Sequence, residues 1–80
     1  MPDVDDLIIQ IAADMSGRAP TEITSSTRLA EDLRIKSANR MEILARLEDE
    51  LGVVLTVSDV LRAKTIGDLA GLARARAAPH

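Results

Sequence analysis

The chain has 80 residues, a net charge of −3 and no cysteine, so it holds one small domain and excludes disulfides and thiolate metal sites. Apolar residues make up 46%, yet Phe, Tyr and Trp are absent, which excludes stacking of bases on aromatic side chains and leaves a core of Leu, Ile, Val, Ala and Met. The basic residues are scattered and give no nucleic-acid footprint, and the one histidine, His80, is terminal, which argues against a histidine triad or metal cluster.

The first segment, Asp3 to Met15, repeats Val4, Leu7, Ile8, Ile11, Ala12 and Met15 at helical spacing. Asp3 is placed to cap it, and Asp5 and Asp6 favour the positive end of the helix dipole. Its longest apolar run, "LIIQIAA", is far shorter than a membrane span, and the acidic start "MPDVDD" has the wrong charge for a presequence. The expected location is therefore cytoplasmic, with no membrane partner.

"SGRAPTEITSSTR" breaks the helical period with Gly17, Pro20 and clustered Ser and Thr. A loop is expected from Ser16 to Lys36, pinned to the core by Ile23, Leu29, Leu33 and Ile35. So long a loop in so small a domain points to a function. The second helix is expected over Ser37 to Leu51, with Met41, Leu44, Leu47 and Leu51 on its buried face, Ile43 widening it and Gly52 as the residue that ends it. "TVSD" opens a short third helix, Val57 to Ala63, and "TIGD" a fourth, Ile66 to Ala75; both pair Thr with an Asp three residues on, as in a capping box. The tail over 76–80 is expected to be disordered. The reading is an all-α single domain over 1–80, with three longer helices, one short helix and a core over 3–75.

Ser37 stands at the second helix start among Arg34, Lys36 and Arg40. Serine there is favoured as a cap, but it also offers an exposed hydroxyl. Three positive charges near a helix N-terminus oppose the dipole by about 0.3–1 kcal/mol each, which suggests a partner surface or a neighbouring phosphate. No set of acid, base and nucleophile emerges that would make the chain an enzyme in its own right.

With these segments placed, "STRLAEDLRIKSANRMEILARLEDELGVVLTVSDVLRAKTIGDLAGLA" resembles an acyl carrier protein without gaps. "EDL" before the serine, Glu42 after it, "LEDELGV" at the helix end and "TIGDLA" all follow that order. The resemblance implies a small four-helix bundle of the acyl-carrier type, monomeric, with 4′-phosphopantetheine transferred from coenzyme A to Ser37 by a phosphopantetheinyl transferase. It further implies that the arm tethers acyl intermediates as thioesters for loading, ketosynthase or acyltransferase-type enzymes of fatty-acid or polyketide biosynthesis. The family's Asp-Ser-Leu is Lys36-Ser37-Ala38 here, the next acidic position is Asn39, and the usual Gly ahead of the motif is Arg34. In the family that Asp helps the transferase hold its metal ion and that Leu contacts partners. Arg34, Lys36, Ala38, Arg40, Met41, Glu42 and Glu48 are thus the expected recognition residues, and Lys36 the one placed to hold the arm's phosphate. These departures favour a specialised pathway over bulk fatty-acid synthesis. Two alternatives stand beside that reading: a carrier of aminoacyl or peptidyl groups, and a carrier-like interaction module that never receives the arm.

Overall fold

The computed structural model describes residues 3–77. Four helices run in the order α1 (Val4–Ser16), α2 (Ser37–Leu51), α3 (Val57–Arg62) and α4 (Ile66–Ala77), with a single 3-10 turn at Pro20–Glu22 inside the first loop. The all-α expectation holds: among the described residues the one extended pairing is an isolated antiparallel bridge between Arg28 and Thr65. α1 packs on α4 and α2, and α2 packs on α3.

Helix α1 starts where Asp3 turns extended; its carbonyl accepts from Leu7 N–H at 3.0 Å, while its carboxylate makes no capping bond. Gly17, at φ 77°, ends the helix by donating to Ala13 O at 2.9 Å, a left-handed turn that costs glycine little. Ile8, Ile11, Ala12 and Ala13 are buried, whereas Val4, Leu7 and Met15 lie half-buried along the rim of that face.

The long loop is fastened as the spacing of its apolar residues predicts. Ile23, Leu29, Leu33 and Ile35 are all buried. Its backbone is also stitched to the entry of α4: Leu29 N–H donates to Lys64 O at 2.9 Å, Ile66 N–H to Thr27 O at 3.0 Å and Gly67 N–H to Ser25 O at 2.8 Å. A Cβ on Gly67 would stand 3.0 Å from the Ser25 carbonyl oxygen, tighter than an ordinary contact, so this close approach of two backbones favours glycine.

Helix α3 has six residues, too few to persist unaided. The predicted capping box forms at its start: Asp59 N–H donates to Thr56 Oγ1 at 3.0 Å and Thr56 N–H donates to Asp59 Oδ2 at 3.3 Å. The same device opens α4, with Asp68 N–H to Thr65 Oγ1 at 3.1 Å and Thr65 N–H to Asp68 Oδ2 at 3.2 Å.

Asp59 does more than cap. It is buried, and its carboxylate also accepts from Arg62 at 3.2 Å and from Arg76 at 3.0 Å, so α3 is clipped to the last turn of α4. Arg74 pairs with Asp5 of α1. These two pairs explain why α4 continues beyond Ala75, through part of the tail expected to be disordered, to Ala77; residues 78–80 of that expected tail lie outside the described residues.

The Thr56 hydroxyl first, then the Thr56 N–H, and then Arg62 and Arg76 hold the Asp59 carboxyl below the usual carboxylate range. A carboxyl depressed on folding stabilises fully above its unfolded value of about 3.9, and that stabilisation is lost as pH falls through the folded value. Urea unfolding should therefore show Asp59→Asn less stable than wild type at pH 7, with the gap narrowing steadily below about pH 4. A gap of constant size down to pH 2 would mean that Asp59 contributes through shape rather than charge.

Candidate functional site

The predicted second helix starts at the predicted residue, but the capping is different. Lys36, not Ser37, occupies the N-cap position, extended at φ −81° and ψ 170°, and makes no side-chain capping bond. Its carbonyl accepts from Asn39 N–H at 3.0 Å and from Arg40 N–H at 3.1 Å. Ser37 is the first helical residue, so of its two readings the cap falls away. A lysine has no acceptor to offer there. The hydroxyl of Ser37 is exposed, and no hydrogen bond among the described residues occupies it.

The start of α2 consequently keeps unfilled donors. The N–H groups of Ser37 and Ala38 have no backbone partner among the described residues, and no acidic side chain sits in the first turn. Unpaired N–H groups at the head of a 15-residue helix present partial positive charge. Such a terminus favours an anion such as a phosphodiester.

Arg34 and Lys36 are both exposed beside this terminus, as are Ala38, Asn39 and Glu42, while Met41 is half-buried. Glu48, Asp49 and Glu50 form an exposed acidic end of α2. At 1.5 Å per residue, Glu48 lies about 17 Å along the axis from Ser37. That exceeds the screening length of about 8 Å at physiological salt, so the basic head and acidic end of α2 act as separate zones. A cleft of 290 Å³ lined by Ala30, Glu31, Arg34, Ile35 and Lys36 leads up to the helix start.

Arg40 does not belong to the exposed basic cluster in which the sequence grouped it. It is 9% exposed, and its guanidinium turns inward. One terminal nitrogen donates to Leu61 O and Ala63 O, each at 2.9 Å, and more weakly to Val60 O at 3.5 Å. Of the expected face, Ile43 and Leu47 are buried and Leu44 and Leu51 pack half-buried against the core, while Arg40, not Met41, completes the buried stripe. Position 40 sits three and seven residues before Ile43 and Leu47, so helical periodicity held the signal; treating arginine as necessarily solvent-facing concealed it.

Arg34 carries the other surprise. It has φ 57°, the one described non-glycine residue with positive φ, and closes the turn that precedes α2 by donating its N–H to Ala30 O at 3.1 Å. The glycine that the resemblance places here is missing, but the backbone shape that favours glycine is kept.

The small four-helix bundle with its long stitched loop is the architecture expected of a carrier-type helical domain. The phosphopantetheine attachment site family matches residues 6–73, and the chain belongs to that family, the acyl carrier proteins. It is 30% identical over 66 residues to an acyl carrier protein of Rickettsia bellii strain RML369-C, covering 82% of this chain and 77% of that one. It is 34% identical over 62 residues to the meromycolate extension acyl carrier protein of Mycobacterium tuberculosis strain H37Rv, covering 78% of this chain and 54% of the relative. An acyl carrier protein of Rhodococcus erythropolis is 33% identical over 60 residues, or 75% of this chain and 66% of that one. The chain thus spans about half the length of the mycobacterial relative. The family's cofactor is 4′-phosphopantetheine. No described helix is long and apolar enough to cross a membrane.

Left-handed backbone costs a non-glycine residue about 1–2 kcal/mol, while glycine adds roughly 0.5–1 kcal/mol of unfolded-state entropy. Arg34→Gly should accordingly raise stability by about 0.5–1 kcal/mol in denaturant unfolding. A loss of stability would show that the Arg34 side chain contributes more than its backbone strain costs.

Proposed function

We propose that Ser37 is the attachment residue and that the chain is a carrier whose covalent arm holds acyl groups for separate enzymes. The observation that carries this reading is the exposed, unbonded Ser37 hydroxyl at the first position of an uncapped helix. The residues present fit the group: the free N–H donors of Ser37 and Ala38, with exposed Lys36 and Arg34 beside them, suit a phosphodiester on Oγ. When bound, the arm supplies a terminal thiol on which acyl groups ride as thioesters, which a chain without cysteine cannot offer. The protein's own part is to hold the hydroxyl out on a stiff element and to be recognised.

Recognition is where this chain departs from its family. Lys36 and Ala38 replace the usual Asp and Leu on either side of the serine, and both are exposed. A positive head on α2 disfavours the basic patches that a wholly acidic helix attracts, while Glu48 to Glu50 remain available for docking. Such effects act on specificity and association rate more than on final affinity, and weaken with salt. We assign the carrier to a specialised acyl or polyketide-type pathway, with a phosphopantetheinyl transferase and loading, ketosynthase or acyltransferase-type enzymes as partners and a monomer as the working state. The meromycolate extension role named for the mycobacterial relatives supports an acyl cargo over an aminoacyl one.

Intact-protein mass after incubation with coenzyme A, magnesium and a broad-specificity transferase tests the assignment. Wild type should gain one phosphopantetheine and Ser37→Ala none. Persistent gain in Ser37→Ala moves the site elsewhere, and no gain in wild type makes the chain an unmodified interaction module.

The recognition role has its own test in the double change Lys36→Asp with Ala38→Leu. A transferase dedicated to fatty-acid carriers should modify this variant at least about tenfold faster than wild type, a gain of roughly 1.4 kcal/mol in transition-state binding, while the broad-specificity enzyme changes little. Equal rates with both enzymes would remove Lys36 and Ala38 from recognition.

A further inference from the structure

The buried guanidinium of Arg40 needs an explanation beyond packing. It lies three residues after Ser37, one turn further along α2. Its Nε is buried without a hydrogen-bond partner, a cost that a purely apolar side chain at this position would avoid. What the guanidinium achieves is specific: it holds the carbonyls of Leu61 and Ala63 at 2.9 Å and thereby ties the C-terminal end of α3 to the first turns of α2. α3 has no other described link to the head of α2 through hydrogen bonds or ion pairs; its capping box is internal and its Asp59–Arg76 pair leads to α4.

On the outer side of α3 stand Val57 and Leu61, four residues apart and so on one face, at 48% and 41% exposure. The Leu61 carbonyl is itself one of the acceptors of Arg40, so this apolar strip is fixed close to the helix turn that carries Ser37. An enzyme that works on the Ser37 hydroxyl must sit over that turn. A standard partner footprint is about 800 Å², against a total surface of 4865 Å² and a molecule only 34 × 26 × 19 Å in extent. Such a footprint centred on Ser37 takes in α3.

We propose that Arg40 is a positioning residue for recognition: by fastening α3 to the head of α2 it presents Val57 and Leu61 as the apolar part of the surface that the arm-delivering transferase covers. The inference rests on Ser37 being the attachment residue. Arg40 acts through α3, not as a surface charge, so a lysine should not replace it: the contacts come from a terminal guanidinium nitrogen, which stands one bond further from the backbone than a lysine ammonium and is more weakly hydrated, so the ammonium falls short of the carbonyls and costs more to bury.

The test uses the full chain with coenzyme A and a transferase that modifies wild type, read by hydrogen exchange and by steady-state kinetics. Arg40→Met and Arg40→Lys should both exchange the amides of α3 on the order of tenfold faster while the amides of α1 stay protected. Both should raise KM about fivefold with kcat altered less than about twofold, the signature of lost binding rather than lost chemistry. Leu61→Ser, at an exposed position, should raise KM similarly without changing exchange, and it decides the matter if the Arg40 variants fail to fold. Wild-type KM in Arg40→Lys or Arg40→Met with α3 loosened would overturn the proposal, as would wild-type KM in Leu61→Ser. Absence of modification in wild type would overturn the Ser37 assignment and this inference together, whereas normal modification with unmoved KM overturns the inference alone.

Discussion

The contact between the Arg40 guanidinium and the carbonyls of Leu61 and Ala63 is the hydrogen-bonded tie that joins the end of α3 to the helix turn following Ser37. α3 is a helix of six residues, below the length at which a helix holds itself together. It persists because its own Thr56–Asp59 box closes its head and two outside groups hold it, Arg40 at its tail and Arg76 on its flank. The carbonyls at its end carry partial negative charge and have no successor in the helix, so a buried cation there meets the groups that most need a donor. Removing the guanidinium would leave the buried Ala63 carbonyl short of a partner, a larger penalty than the net worth of the bond itself.

Around this contact the rest of the fold is a matter of aliphatic packing and backbone stitching. With no aromatic side chain, the core relies on many modest contacts among Ile8, Ile11, Leu29, Ile35, Ile43, Leu47, Ile66 and Leu69, each essentially fully buried. The long loop is part of that core. Its hydrogen bonds to Lys64, Ile66 and Gly67 make it a strap across the entry of α4, and Ile35, its last anchor, delivers the chain to Lys36 and Ser37. The Ser37 hydroxyl thus sits where a pinned loop becomes a helix, on backbone fixed from both sides.

Much of this was legible in the sequence, and for identifiable reasons. Four helical segments followed from period and capping chemistry, and Thr56–Asp59 and Thr65–Asp68 formed as their spacing predicts. The loop anchors followed from isolated apolar residues in polar surroundings. What was hidden turned on side chains whose partners are distant in sequence. Arg40 reads as surface until the carbonyls of residues 61 and 63 arrive beside it. Asp59 reads as a local cap until Arg76, 17 residues on, reaches it, and that pair also carries α4 past its expected end. Arg34 looks like a plain substitution of glycine, and only the backbone shows that φ stayed positive. Propensity favours serine over lysine at an N-cap, so a capping role for Ser37 stood beside the free-hydroxyl reading until the chain geometry put Lys36 at that position. That shift matters chemically: a capping hydroxyl would be engaged with the helix, whereas the hydroxyl of a first-turn residue is left free.

The central claim is that a preformed helix start offers Ser37 for modification without reorganising the fold. Backbone amide spectra of the protein before and after transfer of the arm test it most directly. Shifts should be confined to Lys36 through Arg40 and the adjoining end of α3, with the amides of α1 and α4 unmoved. Shifts centred on another serine, or spread through the α1–α4 packing, would contradict it.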